Sequence, residues 1–132
     1  LALLTGVAIG CVTAAAGARA ETVRYAVVDV GELPASTVCP CFDGQSINAA
    51  GVAAGTFFNP AGHRRSFTGT SDDLPDLGTL GGDLAFVLAL NDIGDAVGYS
   101  DTAGVPQHAF LFHDGTMNDL GTLGGVHSVG RD

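Results

Sequence analysis

The side chains that could do chemistry in this 132-residue chain are few: four histidines, three cysteines, and acids gathered in short turns. His63, His108, His113 and His127 are the candidates for acid–base or metal work. His108 and His113 stand five apart across a strand and its turn, with no cysteine or acidic set at metal spacing beside them. They read as strand-end residues that hydrogen-bond within the fold. Asn91, Asp92 and Asp95 put hard oxygen ligands in one loop, and Asp72 and Asp73 put two more in another. Calcium takes six to eight such oxygens, so Asn91, Asp92 and Asp95 are the calcium candidates. The EF-hand pattern is absent, however, and solvated turns account for the same residues. A nucleophile elbow needs Gly-x-Ser-x-Gly, and Gly98-Tyr99-Ser100-Asp101-Thr102 fails at its last position. No catalytic residue and no cofactor site other than this calcium option is read from the chain.

Cys39 and Cys41 flank Pro40, and an oxidising compartment would let them pair. A Cys-x-Cys ring is small and strained, so the bond would be more reducible than most. Two thiolates alone leave a zinc site incomplete; it would need two further ligands such as His63. A local staple is the simpler reading.

The elements that position these residues follow from a recurrence. Asp119-Leu-Gly-Thr-Leu-Gly-Gly125 repeats Asp76-Leu-Gly-Thr-Leu-Gly-Gly82 at an offset of 43 residues. The same offset carries Asn48 onto Asn91, Gly51 onto Gly94, Gly55 onto Gly98 and Phe67 onto Phe110. A looser copy, Asp29-Val-Gly-Glu-Leu33, lies 47 residues before Asp76, so the first unit holds four extra residues. The chain divides into a leader (1–20), a degenerate first repeat (21–62), a complete repeat (63–107) and a truncated one (108–132). Neither a leading Met nor a closing repeat boundary is present, as expected for a piece of a longer product.

Within the clearest unit, Leu84–Leu90 is an apolar run of strand length. Asn91–Asp95 is a turn, Ala96–Tyr99 a second strand, and Ser100–Gln107, with Gly104 and Pro106, a surface loop. His108–Phe112 is a third strand, Asp114-Gly115 the turn of a hairpin, and Met117–Leu120 a fourth strand. The apolar run lacks polar alternation, as a strand covered on both faces would. Gly78, Gly81 and Gly82 allow tight turning or close backbone approach. Asp76 and Asp119, just ahead of each glycine-rich run, are placed to cap backbone donors. Four short antiparallel strands in a unit of about 40–45 residues is the content of one propeller blade. The predicted fold is all-β, a partial propeller-like array, with a β-solenoid as the alternative.

The run His108-Ala-Phe-Leu-Phe112, then Asp114-Gly-Thr-Met117 and the Asp119–Gly125 motif, preceded by Leu90-Asn-Asp-Ile-Gly-Asp-Ala-Val-Gly-Tyr-Ser100, resembles the bacterial HAF family of extracellular repeat proteins. The resemblance covers residues 63–132 well and 25–62 loosely. In the first unit the triplet has become Arg65-Ser66-Phe67 and the Asp-Gly turn Ser71-Asp72, departures that suit an opening or capping unit. The resemblance implies an exported multi-repeat β protein and brings no functional residue with it.

Residues 1–18 are apolar and uncharged, and Ala18-Arg19-Ala20 is the small-x-small pattern of a peptidase site ahead of Glu21. The reading is a secretory signal cleaved between Ala20 and Glu21. A membrane anchor and a lipoprotein signal acylated at Cys11 are the alternatives. Five basic residues against fourteen acids leave a net charge of −9. Such a surface is repelled by phosphate backbones and anionic lipid heads, so neither nucleic acid nor, after signal removal, membrane is an expected partner. The expected partners are neighbouring repeats of a longer chain and an extracellular ligand or surface component. The leading function is a secreted, periplasmic or cell-surface binding scaffold. A polysaccharide-directed enzyme with its pocket in a propeller channel and a purely structural repeat are the competitors.

Overall fold

The computed structural model describes residues 42–71, 73–104 and 106–131, so the signal site, Asp72 and the Cys39/Cys41 pair lie outside the described residues. Every regular element among the described residues is a strand. Strands β1 (Phe42–Ile47), β2 (Ala53–Phe58) and β3 (Arg64–Gly69) form one sheet in the order β1-β2-β3. Strands β4 (Gly81–Leu90), β5 (Ala96–Thr102), β6 (Gln107–His113) and β7 (Thr116–Asp119) form a second, again in chain order. All pairs are antiparallel, so each sheet is a simple meander. The described residues are all-β, built of two open antiparallel sheets.

One local device makes most of the reversals. In Asn48-Ala-Ala-Gly51, Asn59-Pro-Ala-Gly62 and Asn91-Asp-Ile-Gly94 the Asn side-chain oxygen accepts from the amides two and four residues on, at 2.8–3.1 Å. The glycine three places after each Asn has φ of 81°, 81° and 96°, the left-handed region that favours glycine. The β6–β7 hairpin uses Asp114 (φ 49°) and Gly115 (φ 75°), two left-handed residues in succession, the turn whose twist matches its strands.

The registers of the two sheets recur pair by pair. Gly55 faces Phe67 as Gly98 faces Phe110, Ala53 faces Gly69 as Ala96 faces Phe112, and Phe58 faces Arg64 as Asp101 faces Gln107. Gly44 faces Gly55 as Val87 faces Gly98, and the irregularity after Gly44 reappears after Val87. Each of these correspondences is a shift of 43 residues. The glycine-rich motif is folded alike in both places. Asp76 and Asp119 accept from Gly78 and Gly121, and Thr79 and Thr122 donate to Gly82 and Gly125.

The fourth strand is where the sheets differ. Asp76 meets Phe67 in a single bridge, the counterpart of Asp119 against Phe110 in β7. Pro75 stands where the second sheet has Asn118 and supplies no amide to a ladder. The sequence boundary at 62/63 falls between β2 and β3, and that at 107/108 falls one residue into β6. Hydrogen bonding therefore groups the strands in a different phase from the recurrence as first read.

The sheets pack face to face. Ala54 of β2 joins Val87, Ala96 and Phe110 of the second sheet in one fully buried cluster, flanked by Leu80, Leu90, Phe112 and Met117. Thr56, Ser66 and Thr68 are buried with Ala54. Small residues on the first sheet let the larger Phe110 and Val87 approach, which is how dense packing is reached without voids. The Arg64 guanidinium lies 5.0 Å from the ring centres of both Phe58 and Phe86, a cation–π bridge from one sheet to the other. In β4 only Ala85, Val87 and Ala89 are buried, alternating with half-buried Phe86, Leu88 and Leu90. The coverage on both faces expected from the apolar run is therefore met on one face and only in part on the other. A Cβ on Gly82 would press on Asp101 and the Thr102 carbonyl, the close approach expected of that glycine.

Candidate functional site

Antiparallel topology sends the polar residues to the two ends of the second sheet. At one end lie the Asn91–Asp95 turn and the Asp114-Gly115 hairpin; at the other lie the 103–106 loop and the glycine-rich runs. Register then makes partners of residues far apart in sequence. His113, at the end of β6, places Nδ1 2.6 Å from Asp95 Oδ1, and its Nε2 is 3.3 Å from Asp114. The hydrogen bond from His113 holds the Asp95 carboxyl below its ordinary value. In return the bond to Asp95, aided by the charge of Asp114, raises the His113 imidazole above 6.5. His108 Nδ1 lies 2.9 Å from both oxygens of Asp119. That bond, with the Gly121 amide behind it, lowers the Asp119 carboxyl. His63 Nδ1 is 3.6 Å from Asp83 and spans the two sheets. His127 Nδ1 accepts from the Gln107 amide.

These arrangements hold structure more than they poise a reaction. The His113 ring lies between two carboxylates, which favours its charge and offers no nucleophile to activate. Asp119 both anchors His108 and caps Gly121, the capping role read from its position in the motif. Ser100 is fully buried; its hydroxyl donates to the Leu84 carbonyl and accepts from the Leu80 amide. It ties the glycine-rich run to the sheet and is not a nucleophile.

The calcium candidates are engaged by the fold. Asn91 Oδ1 caps its own turn, Asn91 Nδ2 donates to Asp95, and Asp95 also holds His113. Asp92 Oδ1 accepts from the Ala49 amide at 3.3 Å, and Asn91 O accepts from Asn48 Nδ2 at 3.0 Å. Both bonds join a turn of the first sheet to the matching turn of the second, 43 residues on. Among the described residues no group of three His, Cys, Asp or Glu stands at metal-binding distance.

Two hollows remain. One, of about 230 Å³, is lined by Ala89, Leu90, Asn91, Asp95, Val97, Leu111 and Arg131. The other, of about 300 Å³, lies beside the 103–106 loop, between Gly81–Asp83 and Asp101–Ala103. Sequence reading named the loop but not the hollow, because the two walls are brought together only by the β4–β5 register. Comparison with known proteins adds no relative. No family model, no curated protein and no solved structure matches this chain.

Proposed function

We propose that this chain belongs to an exported array of stacked four-stranded β units, of the HAF type, that serves as a binding scaffold. The observation that carries the reading is the recurrence of strand register, bulge and turn at one offset of 43 residues in both sheets. A fold that repeats itself to that degree meets a partner most readily through what differs between units. Here that is the loop end. Asn59-Pro-Ala-Gly62 joins β2 to β3, whereas 103–106 joins β5 to β6 beside the polar hollow of Asp83, Asp101 and Thr102. A hollow lined by two carboxylates, backbone groups and a hydroxyl suits a hydroxyl-rich or cationic surface component better than an anionic one. The acidic net charge favours the same choice.

The reading is tested in two steps. Cell fractionation of the natural producer should find the protein outside the cytoplasm with its first 20 residues removed. A cytoplasmic protein with an intact leader would overturn the export part. Binding of the chain to cell-surface material from the same producer should weaken in Asp83→Asn and Asp101→Asn variants whose fold is intact. Undiminished binding in both would remove the loop-end hollow from the account.

A further inference from the structure

The open face of the second sheet carries a more specific consequence, which rests on the repeat-unit reading above. We infer that this face is the seat of a further β unit of the same 43-residue pattern, following in tandem, whose inner strand begins with residues 126–131.

Three observations point to it. First, the segment after Gly125 already lies on the second sheet. Ser128 donates its amide to Gln107 O and accepts from the Ala109 amide through Oγ, and the Gly130 amide donates to Gly98 O at 2.9 Å. A Cβ on Gly130 would lie 3.3 Å from the Val97 side chain. Shifted back by 43 residues, Gly130 becomes Val87 and Val97 becomes Ala54, two members of the buried cluster between the sheets. Residues 126–131 thus sit on the second sheet as β4 sits on the first.

Second, the seat is incompletely filled. Ala54 and Thr68 face each other in the first sheet and are covered by the second. Their counterparts Val97 and Leu111 face each other and, with Arg131, line the 230 Å³ hollow. Val and Leu are larger and more apolar than the Ala and Thr they correspond to, so the open face has more to gain from being covered than the closed one had.

Third, the turn-to-turn stitch has a next step ready. Asn48 Nδ2 and the Ala49 amide donate to Asn91 O and Asp92 Oδ1. Their counterparts are the Asp92 amide and the second hydrogen of Asn91 Nδ2, whose first goes to Asp95; a third Asn-Asp turn would meet them with the same two acceptors.

The test is an extended chain in which a copy of residues 89–131 follows Arg131, keeping the offset. A control carries one extra glycine at the junction, which sends every following side chain to the opposite face. Amide exchange by NMR is read at Asp92 and at the added unit's own strand pairs. The inference expects Asp92 exchange to slow about tenfold or more in the in-register chain alone. New contacts from the Val97 and Leu111 methyls to the added strand should accompany it. If the added residues form their own sheet while Asp92, Val97 and Leu111 are unchanged, the seat is overturned and the repeat-unit reading stands. If the added residues form no sheet, the repeat-unit reading falls and takes the seat with it. Equal protection in the shifted control, or concentration-dependent protection without any extension, overturns the tandem seat as well.

Discussion

At the scale of single residues, His63, His108 and His113 act through carboxylate partners, and for His113 this sets a sign for pH. The bond to Asp95 raises the folded-state value of His113 above 6.5. Its stabilisation is therefore complete below that value and is lost as pH rises through the folded value. Asp95 and Asp119 are held below 3.8, so their contribution is present above that value and is lost as pH falls through the folded values. In an NMR titration the His113 midpoint should lie above 6.5 and fall toward it in Asp95→Asn; an unchanged midpoint would deny the pair. Between about pH 5 and about pH 2.5, the drop in denaturant midpoint should be smaller in Asp119→Asn than in the parent chain. An equal or larger drop would mean that Asp119 is not held by His108. The capping role of Asp76 and Asp119 was legible in the sequence, because cap and capped amide are two residues apart. The His–Asp pairs were not. Their members are 11 and 18 residues apart and meet only once β5, β6 and β7 are in register.

At the scale of elements, the strands of the second sheet were readable because short apolar runs are punctuated by Asn, Asp and Gly. The bounds moved outward: β4 starts at Gly81 and not Leu84, and β5 runs on to Thr102. Backbone pairing extends past apolar sequence wherever the opposite strand supplies partners, and glycines do not oppose it. The value of a glycine depends on its neighbours. A Cβ on Gly98 would drive into the Phe86 carbonyl, while one on Gly44 meets nothing within 4 Å. Gly98→Ala should cost about 3 kcal/mol, and Gly44→Ala should stay within about 0.5 kcal/mol. Equal denaturant midpoints for the two would contradict the packing of β4 against β5. Asn48 offers a second test. Its oxygen caps the Ala50 and Val52 amides and its nitrogen bonds Asn91 across the sheets. Asn48→Ala should lose about 1–2 kcal/mol. Asn48→Ser keeps an oxygen for the caps and removes the donor to Asn91, so chemical unfolding should place it between the parent and the alanine variant. A Ser variant no better than Ala would assign the whole effect to the link between turns.

At the scale of the molecule, the 43-residue offset read in the sequence is matched by the strand registers of two open antiparallel sheets. What the sequence could not disclose was the phase, because a period has no origin until hydrogen bonds choose which strands share a sheet. Pro75 explains why the first sheet stops at three strands where the second has four. The measurement that bears most directly on the account is a set of cross-strand NMR contacts collected on both sheets at once. Gly55 should be found opposite Phe67 and Gly98 opposite Phe110, with Asn48 side-chain protons near Asn91. A first sheet displaced by even one residue, so that Gly55 faces Ser66 or Thr68, would break the 43-residue correspondence and with it the claim that one folded unit recurs along this chain.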